Sequence, residues 1–456
     1  MDAQPLRKQV TLVGAALLVA CGGTKLGAAP AAGAPVHAEP ARGATLRFIE
    51  DDYPRALAEA KRRGKPLFVD AWASWCHSCQ SLRAYVLTDP TLAPLADDFV
   101  WLSIDTERDT NAEWVARHPH SALPTLWVID PDTDRPILKW AGTATAGELR
   151  ELLEVAVGDA RRSGPTATEA TAAFVRGNHA LAAGDGETAE KEHRAALAAA
   201  PKDHPHRARI VEALVTQLAL RKEVARCAEV AAAEASGMPP GTSRASVLVA
   251  GLGCARDAKR SADVERLLDL AREDAARRDD RLLPDDRSAL YEEAFTTKSE
   301  RGDRAGAREL AREWSAFLEG EAARAKTNDA RTSLDPLRLG AFLALGEPAR
   351  AIPMLEQSER DFPEDHNGPA RLGRVYLELA RLDDADAAAD RALARVYGPR
   401  VMRVLALKAD IAKARGDRAG EVKALEQALA RSERAVLTEG QKAVREGLVK
   451  RLAALR

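Results

Sequence analysis

The sequence predicts a multidomain protein with two folding units, an N-terminal α/β domain over residues 44–160 and an all-α repeat array over residues 168–456. Three observations support this division. A chain of 456 residues is too long for one compact core. Strand and helix patterns alternate only in the first part, which also holds six of the seven tryptophans. The second part is rich in Ala, Leu, Arg and Glu and repeats small residues at fixed intervals.

The strand and helix signals of the first unit follow one another along the chain. The segment YPRALAEAKRRG predicts a helix that ends at Gly64, and the apolar run PLFVDAWA predicts a strand buried on both faces. The segment CHSCQSLRAYVL has helical spacing. Three more strands are predicted from FVWLSID, PTLWVID and PILKWAG. An amphipathic helix, TAGELRELLEVAV with Thr145 as its N-cap, closes an α/β domain.

The helical part carries a repeat beyond a predicted hinge at residues 161–167. Gly177, Ala189, Ala196 and Pro201 are separated by 12, 7 and 5 residues, a spacing that resembles the tetratricopeptide (TPR) family. A second copy runs through Leu372, Gly373, Tyr376, Ala385, Ala389 and Ala392. Small residues at these positions let paired helices approach closely. We expect a solenoid of about seven helix pairs, more degenerate over residues 204–280, and an unpatterned Ala-rich helical bundle is the alternative.

The first 20 residues resemble a bacterial lipoprotein signal peptide. Arg7 and Lys8 precede an apolar run whose eleven residues, VTLVGAALLVA, are too few to span a bilayer. The run ends in LVAC, similar to a lipobox, and this resemblance implies lipidation of Cys21 after cleavage. An ordinary secretory signal with an incidental cysteine is the alternative. The cysteine is followed by Gly22 instead of Asp, so the sequence does not resemble an inner-membrane retention signal. The choice between inner and outer membrane is therefore left open. Residues 21–43, mostly Ala, Pro and Gly, predict a flexible tether.

Charge and cysteine content limit the class of partner. Basic and acidic residues are nearly balanced, 67 against 69, so no nucleic acid partner is expected. Export would place the four remaining cysteines where disulfides persist. These are Cys76, Cys79, Cys227 and Cys254.

Cys76 and Cys79 follow the first predicted strand, with two residues between them. A structural zinc site needs four ligands, and the next cysteine lies 148 residues beyond Cys79. A static bridge across so short a loop removes little chain entropy. Exchange with a partner's disulfide is favoured instead, because a helix start offers unpaired N–H groups and a positive dipole that stabilise a thiolate. Cys76 would attack the partner and Cys79 would resolve the mixed disulfide.

Asp70 precedes Cys76 by six residues within the apolar strand. A buried carboxylate is costly there unless it has a role, and a proton acceptor for Cys79 is such a role. A strand-end aspartate that faces water is the alternative.

These residues resemble the active site of the thioredoxin superfamily. The segment VDAWASWCHSC is similar to the family's active-site strand and loop. The resemblance implies a buried acid at Asp70, a substrate-contacting tryptophan at Trp75, and a redox pair at Cys76 and Cys79. Across residues 44–160 the domain most resembles the C-terminal periplasmic domain of the disulfide interchange protein DsbD.

A second motif of the same superfamily follows downstream. The segment ALPT, residues 122–125, is similar to the loop in which an X–Pro bond is cis. The resemblance implies that the Leu123–Pro124 bond is cis and that Leu123 and Thr125 contact the substrate chain beside the thiols.

Two departures from the family leave the direction of exchange open. Gln80 replaces a common lysine, and His77-Ser78 differ from the Gly-Pro of thioredoxin. His77 either stabilises the Cys76 thiolate, which would make the disulfide more oxidising, or points to water. Reductase, oxidase and isomerase activities are therefore all compatible with the sequence. A separate redox partner protein is expected.

The remaining cysteines and histidines indicate no catalytic metal. Cys227 and Cys254 lie in neighbouring predicted helices and form either a structural disulfide or two buried thiols. The pairs His118-Pro-His120 and His204-Pro-His206 have neither a cysteine nor clustered carboxylates suitably placed. No metal and no cofactor are predicted.

Two functions fit the sequence, and both place the chain in the bacterial cell envelope. The first is a lipid-anchored, periplasm-facing thiol:disulfide oxidoreductase that acts on exported cysteine-containing proteins selected by the TPR repeats. The second is a TPR scaffold or chaperone-like protein with an accessory thioredoxin fold, whose concave face binds a peptide or protein ligand.

Overall fold

The computed structural model describes residues 46–160, 168–277, 281–433 and 435–456. The predicted signal peptide, the lipidated Cys21, the tether and the hinge at 161–167 lie outside these ranges. Within them, every helix is either too short or too polar to cross a membrane.

The N-terminal domain is built on a five-stranded mixed sheet. Its strands are β1 (Phe48–Glu50), β2 (Leu67–Trp72), β3 (Val100–Asp105), β4 (Thr125–Asp130) and β5 (Arg135–Ala141). They lie in the order β1-β3-β2-β4-β5, with β3 parallel to β1 and β2, and β4 antiparallel to β2 and β5. The four predicted strands are β2 to β5. The sequence pattern missed β1, which has only three residues.

Helices cover both faces of this sheet. They are α1 (Tyr53–Arg63), α2 (His77–Ser81), α3 (Ala112–Arg117) and α4 (Ala146–Ala160). The helix predicted from CHSCQSLRAYVL is divided, because α2 passes into a π-helical turn, Leu82–Val86. Short 3₁₀ segments occupy Pro90–Leu95 and Asp109–Asn111.

Side chains of the central strand β2 alternate between the two faces. Leu67, Val69 and Ala71 pack with α1 and α3. Phe68 packs on the other side with α4, and the period of two places Asp70 on that same side. All six residues of β2 are buried, which explains its continuous apolar sequence.

The helical part contains seven antiparallel helix pairs within the described residues. They are α5 (Glu169–Ala182) with α6 (Gly186–Ala199), α7 (Arg207–Leu220) with α8 (Val224–Glu234), α9 (Thr242–Asp257) with α10 (Ser261–Ala275), α11 (Pro284–Glu300) with α12 (Arg304–Arg324), α14 (Asp335–Leu345) with α15 (Ala351–Asp361), α16 (Asn367–Glu378) with α17 (Leu382–Arg395), and α18 (Val401–Ala414) with α19 (Arg418–Ala430). A short helix, α13 (Asn328–Ser333), precedes α14, and α20 (Glu439–Leu455) follows the last pair.

The same backbone conformation recurs in the turn between the two helices of each pair. Each turn contains one residue with a positive φ, between 55° and 83°, which ends the first helix and reverses the chain. Four of these residues are glycines and three carry side chains. They are Gly184, Lys222, Lys259, Gly302, Gly346, Ala380 and Gly416. The recurring turn makes the array a TPR-like solenoid, and the predicted fold class is confirmed.

Small residues sit where paired helices cross. A Cβ added to Gly177 would lie 2.3 Å from the ring of His193, and one added to Gly373 would lie 3.2 Å from the carbonyl oxygen of Ala385. These contacts explain the spacing of small residues in the sequence, since a larger side chain would separate the helices.

The two parts of the chain share a hydrophobic core. Leu149, Leu152 and Leu153 of α4 belong to the same buried cluster as Phe174 of α5 and Ile210 of α7. The array therefore packs directly against the N-terminal sheet domain.

Candidate redox site

Cys76 lies between the end of β2 and the start of α2, where it is the N-cap residue. It is bonded to Cys79, whose backbone N–H donates to Cys76 Sγ at 3.1 Å. Cys76 is 4% exposed and Cys79 is fully buried. A helix N-terminus that donates a hydrogen bond to the first sulfur would stabilise its thiolate after reduction.

The proline loop lies beside this disulfide. The Leu123–Pro124 peptide bond is cis, as the resemblance implies. Leu123 and Trp75 pack against one apolar cluster that contains both cysteines. Thr125 is buried, its hydroxyl donates to the carbonyl oxygen of Ala122 at 2.6 Å, and its backbone lies between β2 and β5, whereas Leu123 is half-buried. The structure thus brings the two motifs into one site.

Asp70 is fully buried on the α2 side of β2 rather than facing water. Neither carboxylate oxygen accepts a hydrogen bond from the described residues, and Arg83 Nη1 lies 3.7 Å away, beyond hydrogen-bond distance. Burial raises the pKa of Asp70 to about 6, although Arg83 acts in the opposite direction. A carboxyl with this pKa can accept and release a proton near neutral pH.

Trp75 is held by residues from both parts of the chain. Its indole Nε1–H donates to Glu107 Oε1 at 3.0 Å, and the guanidinium of Arg400 lies 4.7 Å from the ring centroid. Glu107 also accepts from the backbone N–H of Arg400 at 2.8 Å and from Gln441 Nε2 at 3.1 Å. Burial raises the pKa of Glu107, and the hydrogen bond from Trp75 opposes this rise.

The array also contacts the residues that flank Cys76. Asn367 Nδ2, at the start of α16, donates to the carbonyl oxygen of Ser74 at 3.0 Å. His77 Nδ1 lies 3.1 Å and 3.0 Å from the two carboxylate oxygens of Asp285 on α11. His77 thus points to the helical array, an arrangement that neither sequence interpretation included.

Further contacts come from the N-terminal turns of the first helices of the pairs. Arg209 at the start of α7 lies 3.2 Å from Glu148 Oε2, and Ser243 at the start of α9 donates its N–H to Glu148 Oε1 at 3.1 Å. Thr143 donates to Asp286 of α11 at 3.4 Å. Successive repeats therefore present the same end of their first helices to the N-terminal sheet domain.

The second cysteine pair is a disulfide inside the array. Cys227 on α8 is bonded to Cys254 on α9, and both lie in the apolar core of the repeats. Of the histidine pairs, His118 stacks on Trp114 with ring centroids 4.5 Å apart, and His204 Nε2 lies 3.0 Å from Thr168 Oγ1. These contacts give both rings a structural role.

Sequence reasoning missed four array and loop residues that contact residues of the redox motif. They are Glu107, Asp285, Asn367 and Arg400. His77 and Asp285 are 208 residues apart, so no motif or spacing connects them. Glu107 gives a weak signal, as an acid immediately after the strand and turn SIDTE.

Comparison with known proteins supports the class of fold first. Residues 48–131 match the family model described as Thioredoxin-like. With the five-stranded sheet, the Cys-X-X-Cys pair and the cis-proline loop, this match makes the N-terminal domain thioredoxin-like.

More specific relatives are the thiol:disulfide interchange proteins DsbD. The chain is 32% identical over 83 residues to DsbD of Pseudoalteromonas atlantica, covering 18% of this chain and 14% of that protein. It is 32% identical over 97 residues to DsbD of Colwellia psychrerythraea, covering 21% and 15%. The match therefore spans only a small part of the length of these relatives.

The array is similar to a solved TPR protein from Parabacteroides merdae. The identity is 12%, the TM-score is 0.41, and the likeness covers 62% of this chain and 99% of that one. The TPR-like character of the array rests on its helix pairs and turns rather than on this distant likeness.

Proposed function

We propose that the chain is a thiol:disulfide oxidoreductase that exchanges disulfides with exported proteins through Cys76 and Cys79. The observation that carries this proposal is the hydrogen bond from the Cys79 N–H to Cys76 Sγ beside the cis-proline loop. That geometry stabilises an attacking thiolate and leaves the resolving sulfur one helical turn deeper.

The reaction transfers two electrons in two steps. The Cys76 thiolate attacks a substrate disulfide, which forms a Cys76–substrate bond and releases one substrate thiolate. Cys79, after losing its proton, attacks Cys76 Sγ, which forms the Cys76–Cys79 bond and releases the second substrate thiolate. Asp70, which is buried and has a raised pKa, is the proposed acceptor of the Cys79 proton. The reverse sequence oxidises a substrate dithiol, and a redox partner protein restores the starting state in either direction.

The cellular setting is part of the proposal. The lipobox-like LVAC at Leu18 to Cys21 supports lipid anchoring at Cys21 on the periplasmic side of the envelope. Similarity to the DsbD proteins over the redox domain supports the same compartment. The array is expected to bind protein partners with surface other than the helix ends already packed on the thioredoxin-like domain.

Trapping of the intermediate tests this function. In a Cys79→Ser variant the mixed disulfide cannot be resolved, so we expect Cys76 adducts with exported proteins that disappear on reduction. The matched control is the Cys76→Ser/Cys79→Ser double variant, which cannot form them. Absence of reducible adducts in the native host would contradict the proposal and leave the TPR scaffold function. Adducts with cytoplasmic proteins alone would contradict the envelope location.

A further inference from the structure

His77 occupies a sensitive position in the redox motif. It directly follows Cys76 and is the first residue of α2, so it is next to the attacking cysteine in the sequence. A protonated imidazole at this position favours the thiolate and therefore the reduced form of the pair. A neutral imidazole gives no such charge. The protonation state of His77 is thus able to set the redox equilibrium.

Asp285 of the helical array contacts this ring directly. Both carboxylate oxygens lie within 3.1 Å of His77 Nδ1, and Asp285 is only 6% exposed. It stands in the first turn of α11, behind Pro284, where the helix geometry fixes its backbone. The carboxylate is buried, whereas the His77 side chain is 38% exposed, so solvent screens their interaction in part.

The surroundings of His77 favour a cation. Burial alone would lower the pKa of His77, but the charge and hydrogen bond of Asp285 outweigh burial and raise it, with Glu292 on α11 assisting and Arg371 on α16 opposing. Helix α13 also packs against α2. Its charged residues are Asp329 and Arg331, and Arg331 is paired with Asp361.

We propose that Asp285 is a positioning residue that holds His77 as a cation beside Cys76 and thereby makes the Cys76–Cys79 disulfide more oxidising. Asp285 acts through His77, because no contact joins it to the sulfur atoms of either cysteine in the described structure. The helical array is then part of the redox site and not only a binding surface. This inference rests on the proposed function, since it concerns the equilibrium of the same cysteine pair.

Redox equilibrium with glutathione tests the proposal on the purified full-length protein. In Asp285→Asn the ring loses its counter-charge, so we expect the equilibrium constant for reduction of the disulfide to fall on the order of tenfold, or about 30 mV. The pKa of the Cys76 thiol, followed by pH-dependent alkylation of reduced protein, should rise in parallel. Asp285→Glu should restore both values towards those of the unchanged protein.

Two further variants separate charge from docking. Asp286→Asn is the matched control, because Asp286 is the adjacent buried carboxylate but contacts Thr143 and Thr242 instead of His77. It should leave the equilibrium unchanged, and a shift equal to that of Asp285→Asn would overturn the proposal. His77→Ala should shift the equilibrium as Asp285→Asn does. If Asp285→Asn does not fold, this variant decides the question, and an unchanged equilibrium overturns the proposal.

Failure of this inference and failure of the proposed function give different results. The glutathione equilibrium and the Cys76 titration belong to the cysteine pair itself and need no protein substrate. A missing mixed disulfide in the host would therefore reject the function while leaving the Asp285 measurements valid. Unchanged equilibria with intact trapping would reject the role of Asp285 alone.

Discussion

The two cysteine pairs of this chain form disulfides in opposite surroundings. Cys76 and Cys79 are three residues apart, at a helix start where an N–H donates to sulfur and charged side chains approach from the array. Cys227 and Cys254 are 27 residues apart and join α8 to α9 among aliphatic side chains. The first pair has polar groups that stabilise a thiolate, whereas among the described residues the polar contact of the second pair is the backbone carbonyl of Ala250. The comparison supports the proposed exchange at the first pair and a structural role for the second.

Removing each pair in turn should produce the largest difference. Cys76→Ser should reduce disulfide exchange with insulin to the rate of buffer, because the attacking sulfur is gone. Cys227→Ser/Cys254→Ser should keep that exchange but lower the free energy of unfolding by about 3–4 kcal/mol, since the bond closes a long loop. Insulin reduction and urea unfolding of the purified proteins measure both effects. Loss of exchange in a folded Cys227→Ser/Cys254→Ser protein would show that the second disulfide takes part in the chemistry.

The pH dependence of the free energy of unfolding tests the effect of the buried Asp70 in the redox domain. Its pKa is raised by burial to about 6 in the folded protein, above its value in an unfolded chain. Its stabilising effect is therefore complete below about pH 4 and is lost as the pH rises through 6, at a cost of about 3 kcal/mol. Asn does not titrate. The stability of Asp70→Asn relative to the oxidised wild type should thus increase by about this amount between pH 4 and pH 8, measured by urea unfolding.

A second buried carboxylate provides the matched control for that experiment. Asp335 lies in the array, is fully buried, and has a pKa raised to about 6, chiefly by burial. Asp335→Asn should show a similar pH-dependent change in stability but normal disulfide exchange, whereas Asp70→Asn should slow exchange. If the difference in unfolding free energy between Asp70→Asn and the wild type stays constant with pH, burial does not raise the pKa of the Asp70 carboxyl.

These effects also mark what the sequence could predict. Cys76, Cys79 and Pro124 stand in short local motifs that resemble those of the thioredoxin superfamily, and that resemblance implied that they lie together. Strands β2 to β4 were predictable because buried strands have predominantly apolar sequences, whereas the half-exposed β5 was predicted from a short strand-like segment after a Pro-Asp turn. Asp285, Asn367 and Arg400 reach the motif only through tertiary packing of separate repeats, and such contacts leave no periodic pattern in one sequence.

Part of the repeat was difficult to recognise in the sequence because its turns do not all contain glycine. A glycine ends the first helix in four of the seven pairs, and this residue is easy to recognise because it favours positive φ. Lys222 and Lys259 adopt the same conformation in the region between residues 204 and 280, where the sequence pattern is weakest. Their conformation is set by the turn rather than by residue preference. The structure therefore extends the regular array through a segment that looked degenerate.

The smallest expected effect tests the helix crossing that the second disulfide bridges. A Cβ added to Gly251 of α9 would lie 2.5 Å from Cβ of Ala231 on α8, so Gly251→Ala should lower the free energy of unfolding by about 1–3 kcal/mol. Gly253→Ala is the control, since its nearest neighbour is an oxygen of Glu293 at 3.9 Å, and it should be neutral or stabilising. In the Cys227→Ser/Cys254→Ser background the cost of Gly251→Ala should decrease, because the unlinked helices can separate. Equal costs with and without the bond would show that the disulfide does not hold this crossing together.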